Sequence, residues 1–302
     1  MNYLKSILVA LMLLSATTRA EVTAPEQPSF PLPDDVQQSL KTLAIESDIL
    51  VLGEIHGTQE VPAIVEELLP TLTKLGYGAL ALEVPRDEQP AIAALAKGNS
   101  SVVPTFFAKP GEDGRGNQQV LAMVRRALRP PYEWKLICFD GTNDDMMRQM
   151  MERLPKDAKG NIAEQAAKFS PDDITALSLQ RDSTMAKNFA TERTKLPAKL
   201  KVVAICGNVH ARTANHAPTK STLKSLWPSF AAQLKQDQPH WQVRSVNVQA
   251  FSGEYFNGGK VNKFTGRPLT KVEARPTADA DWDWELNLPR ATAATFLASP
   301  KD

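Results

Sequence analysis

Apolar residues in this chain fall into short unbroken runs, separated by longer stretches in which they recur at helical spacing. The runs are Ile49 to Leu52, Ala79 to Val84, Trp134 to Phe139 and Val202 to Cys206. A short continuous apolar run bounded by turn residues reads as a strand buried on both faces. Between the first two runs, Val61, Ile64, Val65, Leu68, Leu69, Leu72 and Leu75 line one side of a helix over Glu60 to Leu75. Thr58 is its expected cap, and Pro62 falls in its first turn. Shorter helices are expected over Asp35 to Ile45, Gln89 to Lys97 and Gln118 to Leu128, the last stopped by Pro130-Pro131.

The middle of the chain, 144–197, reads as mainly helical, with Asn143 or Asp144 as a cap and a fresh start at Pro171-Asp172-Asp173. A further helix is expected over Ser221 to Leu234, broken at Pro228. Trp241 to Phe251 alternates in part and reads as a strand. Asp281 to Pro289 alternates well and reads as a late, antiparallel strand. The order strand, helix, strand favours crossover connections and parallel pairing. The fold class expected is α/β: a layered, mixed, mostly parallel sheet flanked by helices, with a helical middle insertion and an antiparallel C-terminal strand. Residues 35–302 are expected to form a single domain of this kind.

The first residues change the compartment. Lys5, the apolar run Ile7 to Leu14 and the small-residue pattern Thr18-Arg19-Ala20 read as a signal peptide over 1–20. That run is too short for a membrane span, and nothing after residue 20 is long and apolar enough for one. A periplasmic or secreted protein is therefore expected. Residues 21–34 are rich in proline and polar side chains and read as a flexible lead-in. Removing Lys5 and Arg19 takes 35 basic residues to 33, against 34 acidic ones. This balance gives no electrostatic footprint for nucleic acid. An oxidising compartment permits a disulfide between Cys138 and Cys206, but both lie in strand-like runs and read as ordinary buried free thiols.

Chemistry concentrates at the ends of the runs. The chain holds four histidines, and two of them close Gly-x-x-His tetrads: Gly53-Glu54-Ile55-His56 and Gly207-Asn208-Val209-His210. The second run ends at Glu83 and the third at Asp140. In an open α/β sheet, ligands gather beyond the carboxyl ends of the strands. If the strands are parallel, these residues share one edge. The loop Gly111 to Gly116 matches neither a phosphate-binding nor a dinucleotide-binding pattern and reads as plain loop.

The stretch Asp48 to Gly57, with Ala81-Leu82-Glu83, resembles the erythromycin esterase/ChaN-like group of the wider Tiki, TraB and PrgY superfamily. Arg181-Asp182-x-x-Met185-Ala186 resembles its helical signature, Gly207 to His210 its second histidine motif, and Trp282 to Pro289 its closing strand. The resemblance implies a mixed α/β fold with a site at the strand ends. It also implies one of three activities: ester hydrolysis, metal-dependent peptide hydrolysis or haem binding. Glu54, His56, Glu83, Arg181, Asp182 and His210 are the residues that match.

Two hydrolase readings fit this set, acting on an ester or amide in a small molecule or peptide. In the first, His56 or His210 activates water and a carboxylate holds its tautomer. Glu54 assists, and Arg181 holds an anionic group or the developing oxyanion, with Asp182 either functional or simply neutralising Arg181. In the second, His56, Glu83 and His210 hold zinc, manganese or iron, with Glu54 as base or supporting group. Asp140, Asp182 and Asn208 are expected in supporting roles. Two non-enzymatic readings stand beside these. One is a haem-binding protein using Tyr77, Tyr132, Tyr255, His216 or His240 as axial ligand. The other is a cell-envelope interaction protein with a degenerate site.

Overall fold

In the computed structural model, which describes residues 30–108, 111, 113–154, 169–215, 226–277 and 281–297, every apolar run is a strand. The segment 1–20, most of the lead-in, the first part of the helix expected from Ser221, and His216 lie outside the described residues. The strands are β1 (Ile49–Glu54), β2 (Tyr77–Pro85), β3 (Lys135–Asp140), β4 (Lys201–Gly207), β5 (Val243–Ala250), β6 (Glu254–Asn257), β7 (Lys260–Lys263), β8 (Glu273–Pro276) and β9 (Trp284–Leu288). The helices are α1 (Asp34–Ile45), α2 (Glu60–Lys74), α3 (Gln89–Ala96), α4 (Thr105–Ala108), α5 (Gln118–Leu128), α6 (Asn143–Arg153), α7 (Pro171–Arg193) and α8 (Phe230–Asp237).

Seven strands form one sheet in the order β3-β2-β4-β1-β5-β9-β8. Every neighbouring pair in it is parallel except β8 with β9. The antiparallel C-terminal pair is thus β8–β9, and the alternating run at 281–289 itself joins the parallel body beside β5. Strands β6 and β7 make a separate hairpin.

The unbroken apolar runs are explained by burial on both faces. On one face, Leu50 and Leu52 of β1 and Val203 and Ile205 of β4 pack with α1, α2, α3 and α5. On the other, Ile49, Val51, Val202, Ala204 and Cys206 pack with α7 and α8 around Phe139, Phe189 and Phe230. The rings of Phe139 and Phe230 stack with centroids 4.6 Å apart, and Phe189 meets both edge-on. Helix α2, which follows β1, lies on the first face, and α8, the next described helix after β4, lies on the second. The chain therefore leaves two adjacent strands toward opposite faces. The carboxyl ends of β1 and β4, where both tetrads sit, are thus a topological switch point, the place where ligands gather in an open α/β sheet.

Several local expectations are corrected. Gln59, not Thr58, occupies the N-cap of α2, and the Thr58 hydroxyl donates instead to the Ile55 carbonyl at 2.9 Å. Helix α6 is capped by Thr142 in a reciprocal box with Asp145, not by Asn143 or Asp144. Helix α8 begins only at Phe230, beyond Pro228, because proline lacks the N–H an interior helical position needs. Cys138 on β3 and Cys206 on β4, by contrast, are the free, buried thiols that their strand-like runs suggested. Strand β2 lies between them, which puts them about two strand spacings apart, roughly 9–10 Å, and out of reach of a bridge.

Candidate functional site

Strand pairing brings the candidate residues together. Glu54 and Gly207 are register partners on β1 and β4, so the two tetrads leave the sheet side by side. Strand β4 lies between β1 and β2, and Glu83 at the end of β2 reaches across its tip. Glu83 Oε2 accepts the Gly207 N–H at 2.7 Å and lies 3.4 Å from His56 Nε2. Its other oxygen lies 3.9 Å from His210 Nε2. The glycines serve close approach here, not a sharp turn. A Cβ on Gly207 would stand 2.9 Å from His56 Nε2, and one on Gly53 would stand 2.7 Å from Ala211 Cβ.

Each histidine is held by its own carboxylate. His56 Nδ1 donates to Glu54 Oε1 at 2.9 Å, and His210 Nδ1 donates to Asp182 Oδ1 at 2.6 Å. The same Asp182 oxygen accepts the Phe230 N–H at the start of α8, at 3.1 Å. Asp182 shares a face of α7 with Met185, Ala186 and Phe189, at the i, i+3, i+4, i+7 spacing that faces the core. This explains how an aspartate comes to be buried: it is paired and hydrogen-bonded. Both Nε2 atoms are left facing Glu83, and both rings reach solvent, with side chains 18% and 15% exposed.

Arg181, on the same turn, is held elsewhere. Its Nε donates to Asp140 Oδ1 at 3.1 Å and its Nη2 to Asp140 Oδ2 at 2.6 Å. Nη2 also donates to Glu83 Oε1, and Nη1 lies 3.2 Å from His210 Nε2. The expectation that Asp182 neutralises Arg181 is thus corrected: Asp182 serves His210, while Asp140 and Glu83 neutralise Arg181. Asn208 takes part through its backbone. Its N–H donates to the Glu54 carbonyl at 2.9 Å, and its carbonyl accepts the Trp282 indole N–H at 3.0 Å.

The electrostatics follow from this packing. Burial works against charge on Glu83, but Arg181, His56, Arg115 and His210 outweigh it and hold the carboxyl well below the usual range. Burial likewise opposes a proton on His56, yet Glu83 and the hydrogen bond to Glu54 outweigh it and raise the imidazole to about 10. His210 is also raised: burial opposes its proton, Glu83 and Asp182 favour it, and Arg181 pushes against it. Both imidazoles are thus raised, and they differ in that at His210 the Arg181 guanidinium works against the proton and donates to the Nε2 lone pair.

Sequence reasoning missed Arg115. It leaves the loop before α5 and places Nη1 at 2.9 Å from the Glu83 carbonyl oxygen, 3.1 Å from Glu83 Oε1 and 2.9 Å from Asp140 Oδ2. Asp113 aims it, accepting from Nε at 2.6 Å and from the Arg115 backbone N–H at 3.2 Å. The loop packs directly against the residue after His56: a Cβ on Gly114 would stand 2.7 Å from Gly57 Cα. A signal was present in the glycines of 111–116, which permit such an approach.

The proposed metal set does converge, but its chemistry fits a cation poorly. Glu83 Oε1 already faces two guanidinium groups, and His210 Nε2 faces one of them. A divalent ion between these donors would meet two fixed positive charges at contact distance. Among the described residues, no group of three or more His, Cys, Asp or Glu side chains has the arrangement of a metal site. Two of the described axial-ligand candidates for haem, Tyr77 and His240, lie apart from His56 and His210. Tyr77 and His240 are at the amino ends of β2 and β5, on the opposite edge of the sheet, and the Tyr77 hydroxyl donates to the Ala44 carbonyl at 3.1 Å. A cleft of about 430 Å³ lies at that edge too, around Lys97, Arg129, Glu133 and Lys135. It contains none of the site residues, so geometry and charge, not cleft size, locate the chemistry.

No family model matches the chain, and no curated protein matches its sequence. Solved structures do share its fold. An erythromycin esterase, EreC, studied as a histidine-to-asparagine mutant in an open conformation, is 12% identical, with 86% of this chain and 94% of that one covered at a TM-score of 0.58. A Bacillus cereus protein is 13% identical over 86% of this chain and 92% of its own, with a TM-score of 0.57. The ChaN of Campylobacter jejuni, solved with cofacial haem, is 14% identical over 82% and 90% of the two chains, with a TM-score of 0.45. The architecture is therefore an α/β fold of the kind found in the erythromycin esterase.

Proposed function

We propose that this protein hydrolyses an ester or amide bond of a small molecule or peptide at the carboxyl ends of β1, β2 and β4. The observation that carries this reading is the pair of carboxylate-held imidazoles, His56 with Glu54 and His210 with Asp182, whose Nε2 atoms both lie within 4 Å of the same Glu83. A carboxylate on Nδ1 fixes the tautomer and leaves Nε2 to exchange protons with a ligand. Their environments differ, which assigns the roles. His210, with Arg181 disfavouring a proton on Nε2, takes the proton of an attacking water once that water replaces Arg181 Nη1 at the Nε2 lone pair. The water oxygen bonds to the acyl carbon, and the guanidinium edge of the site steadies the oxyanion. As the bond to the alkoxide or amine breaks, His56 gives its Nε2 proton to the leaving group. The fold shared with an erythromycin esterase supports acyl chemistry at this edge, and the motif pattern supports a place in the Tiki, TraB and PrgY superfamily.

The test is turnover of 4-nitrophenyl acetate and of a panel of neutral esters and amides, with and without a chelator. Each of His56→Ala and His210→Ala is expected to lower kcat/KM by about 100-fold or more, the usual contribution of a positioned acid or base. Chelator is expected to change nothing. Full turnover in the double variant would sink the assignment.

A further inference from the structure

We infer that Arg115, and not Arg181, is the guanidinium that binds the ligand's anionic oxygen. The inference rests on the hydrolase reading above for the word oxyanion, and on geometry alone for the anion site.

The two arginines are used differently. Arg181 has every nitrogen engaged: Nε and Nη2 on Asp140, Nη2 also on Glu83, and Nη1 against His210. It is a clamp between three elements and has no edge to offer without breaking that clamp. Arg115 has Nε on Asp113 and Nη1 on Glu83 and Asp140, whereas its Nη2 has no partner among the described residues. Its side chain is 21% exposed. A guanidinium carries five N–H donors in a planar fork, and a carboxylate-pinned fork with one open edge is pre-aimed at an incoming oxygen.

The open edge also lies in the right place. Arg115 Nη1 and His210 Nε2 stand within 3.1 and 3.9 Å of the same oxygen, Glu83 Oε1. The loop that carries Arg115 touches Gly57, the residue after His56. The guanidinium that carries the open Nη2 edge is thus packed on the same Glu83 carboxylate that both imidazoles face. Asp113 keeps the charge on Arg115 and fixes its orientation, so binding requires little reordering.

Phenylphosphonate is the probe, since it presents tetrahedral anionic oxygens without a scissile acyl bond. Calorimetric titration of the full chain is expected to show binding to the wild type. Affinity should be at least tenfold weaker in Arg115→Ala and recover in part in Arg115→Lys, with all three proteins matched by circular dichroism and melting temperature. In the ester assay, Arg115→Ala is expected to lower kcat by about 100-fold with KM little changed, as for loss of an oxyanion donor. No binding to the wild type, or equal affinity in Arg115→Ala, overturns the inference. Phosphonate binding that depends on Arg115 in a protein that turns over no ester or amide leaves the anion site standing and sinks the hydrolase reading instead.

Discussion

Gly207 and His56 are packed so closely that a methyl group on the glycine would stand 2.9 Å from His56 Nε2. The glycine of the second tetrad is thus what makes room for the histidine of the first. Gly207→Ala should push the imidazole off its line to Glu83 while sparing the backbone N–H that Glu83 accepts. Displacement of a reacting group by about 1 Å costs on the order of 100-fold in rate. The expected outcome is a loss of that size in kcat/KM, with a melting temperature within about 4 °C of wild type. A fully active Gly207→Ala protein would mean that His56 is not held where the reaction needs it.

The pH dependence follows from the two imidazoles. Burial opposes charge on His56, but Glu83 and Glu54 raise it from 6.5 to about 10, so His56 is protonated across the neutral range. Its charge stabilises the fold fully below pH 6.5, and that contribution is lost as the pH rises through about 10. As an acid, His56 stops working over the same upper range. His210 must be unprotonated to act as base, and it is raised as well, so the acid limb lies above 6.5. Plots of kcat/KM against pH should therefore be bell-shaped, with the alkaline limb near 10. Imidazole NMR titration of His56→Asn and His210→Asn variants assigns each limb. A His56 resonance titrating near 6.5, the ordinary value, would remove the acid from the mechanism.

Much of the fold was legible because burial on both faces writes itself as unbroken apolar runs. Each run placed its strand to within a few residues, and Glu54, Glu83, Asp140 and Gly207 proved to be the last or nearly last positions of their strands. Convergence of His56, Glu83 and His210 needed only parallel pairing, which crossover helices enforce. The partners of each residue were not legible. That Asp182 would take His210 rather than Arg181 depends on the rotation of α7 against Phe230, a long-range packing result. Arg115 escaped because a loop residue acquires its role from contacts 32 and 25 positions away, with Glu83 and Asp140, and no local pattern encodes them. The antiparallel pairing expected for 281–289 is present, with β8, but the parallel pairing of β9 with β5 was not legible. Alternation reports which side is buried and says nothing about the direction of the neighbour.

Glu83 is the hub on which the remaining prediction turns. It is buried to 3% exposure, and Arg181, Arg115, His56 and His210 all lie within 4 Å of it. Glu83→Gln keeps the shape and removes the charge. Two guanidiniums and an imidazolium would then face one another with Asp140 as their nearest compensation. Breaking a buried ion pair from one side typically costs about 3–5 kcal/mol, because the partner charge stays buried. Urea unfolding should show a loss of that order, and the His56 resonance should titrate well below its wild-type position, since Glu83 is the largest influence raising it. The same variant separates charge balance from metal binding. If Glu83 worked by holding a cation, stripping the wild type with a chelator would reproduce the destabilisation. If it works by holding arginines and histidines, chelator leaves the wild-type urea midpoint where it was, and only the substitution lowers it. A Glu83→Gln protein as stable as wild type would show that the three cations find compensation elsewhere, and the electrostatic account of the site would have to be rebuilt around Asp140.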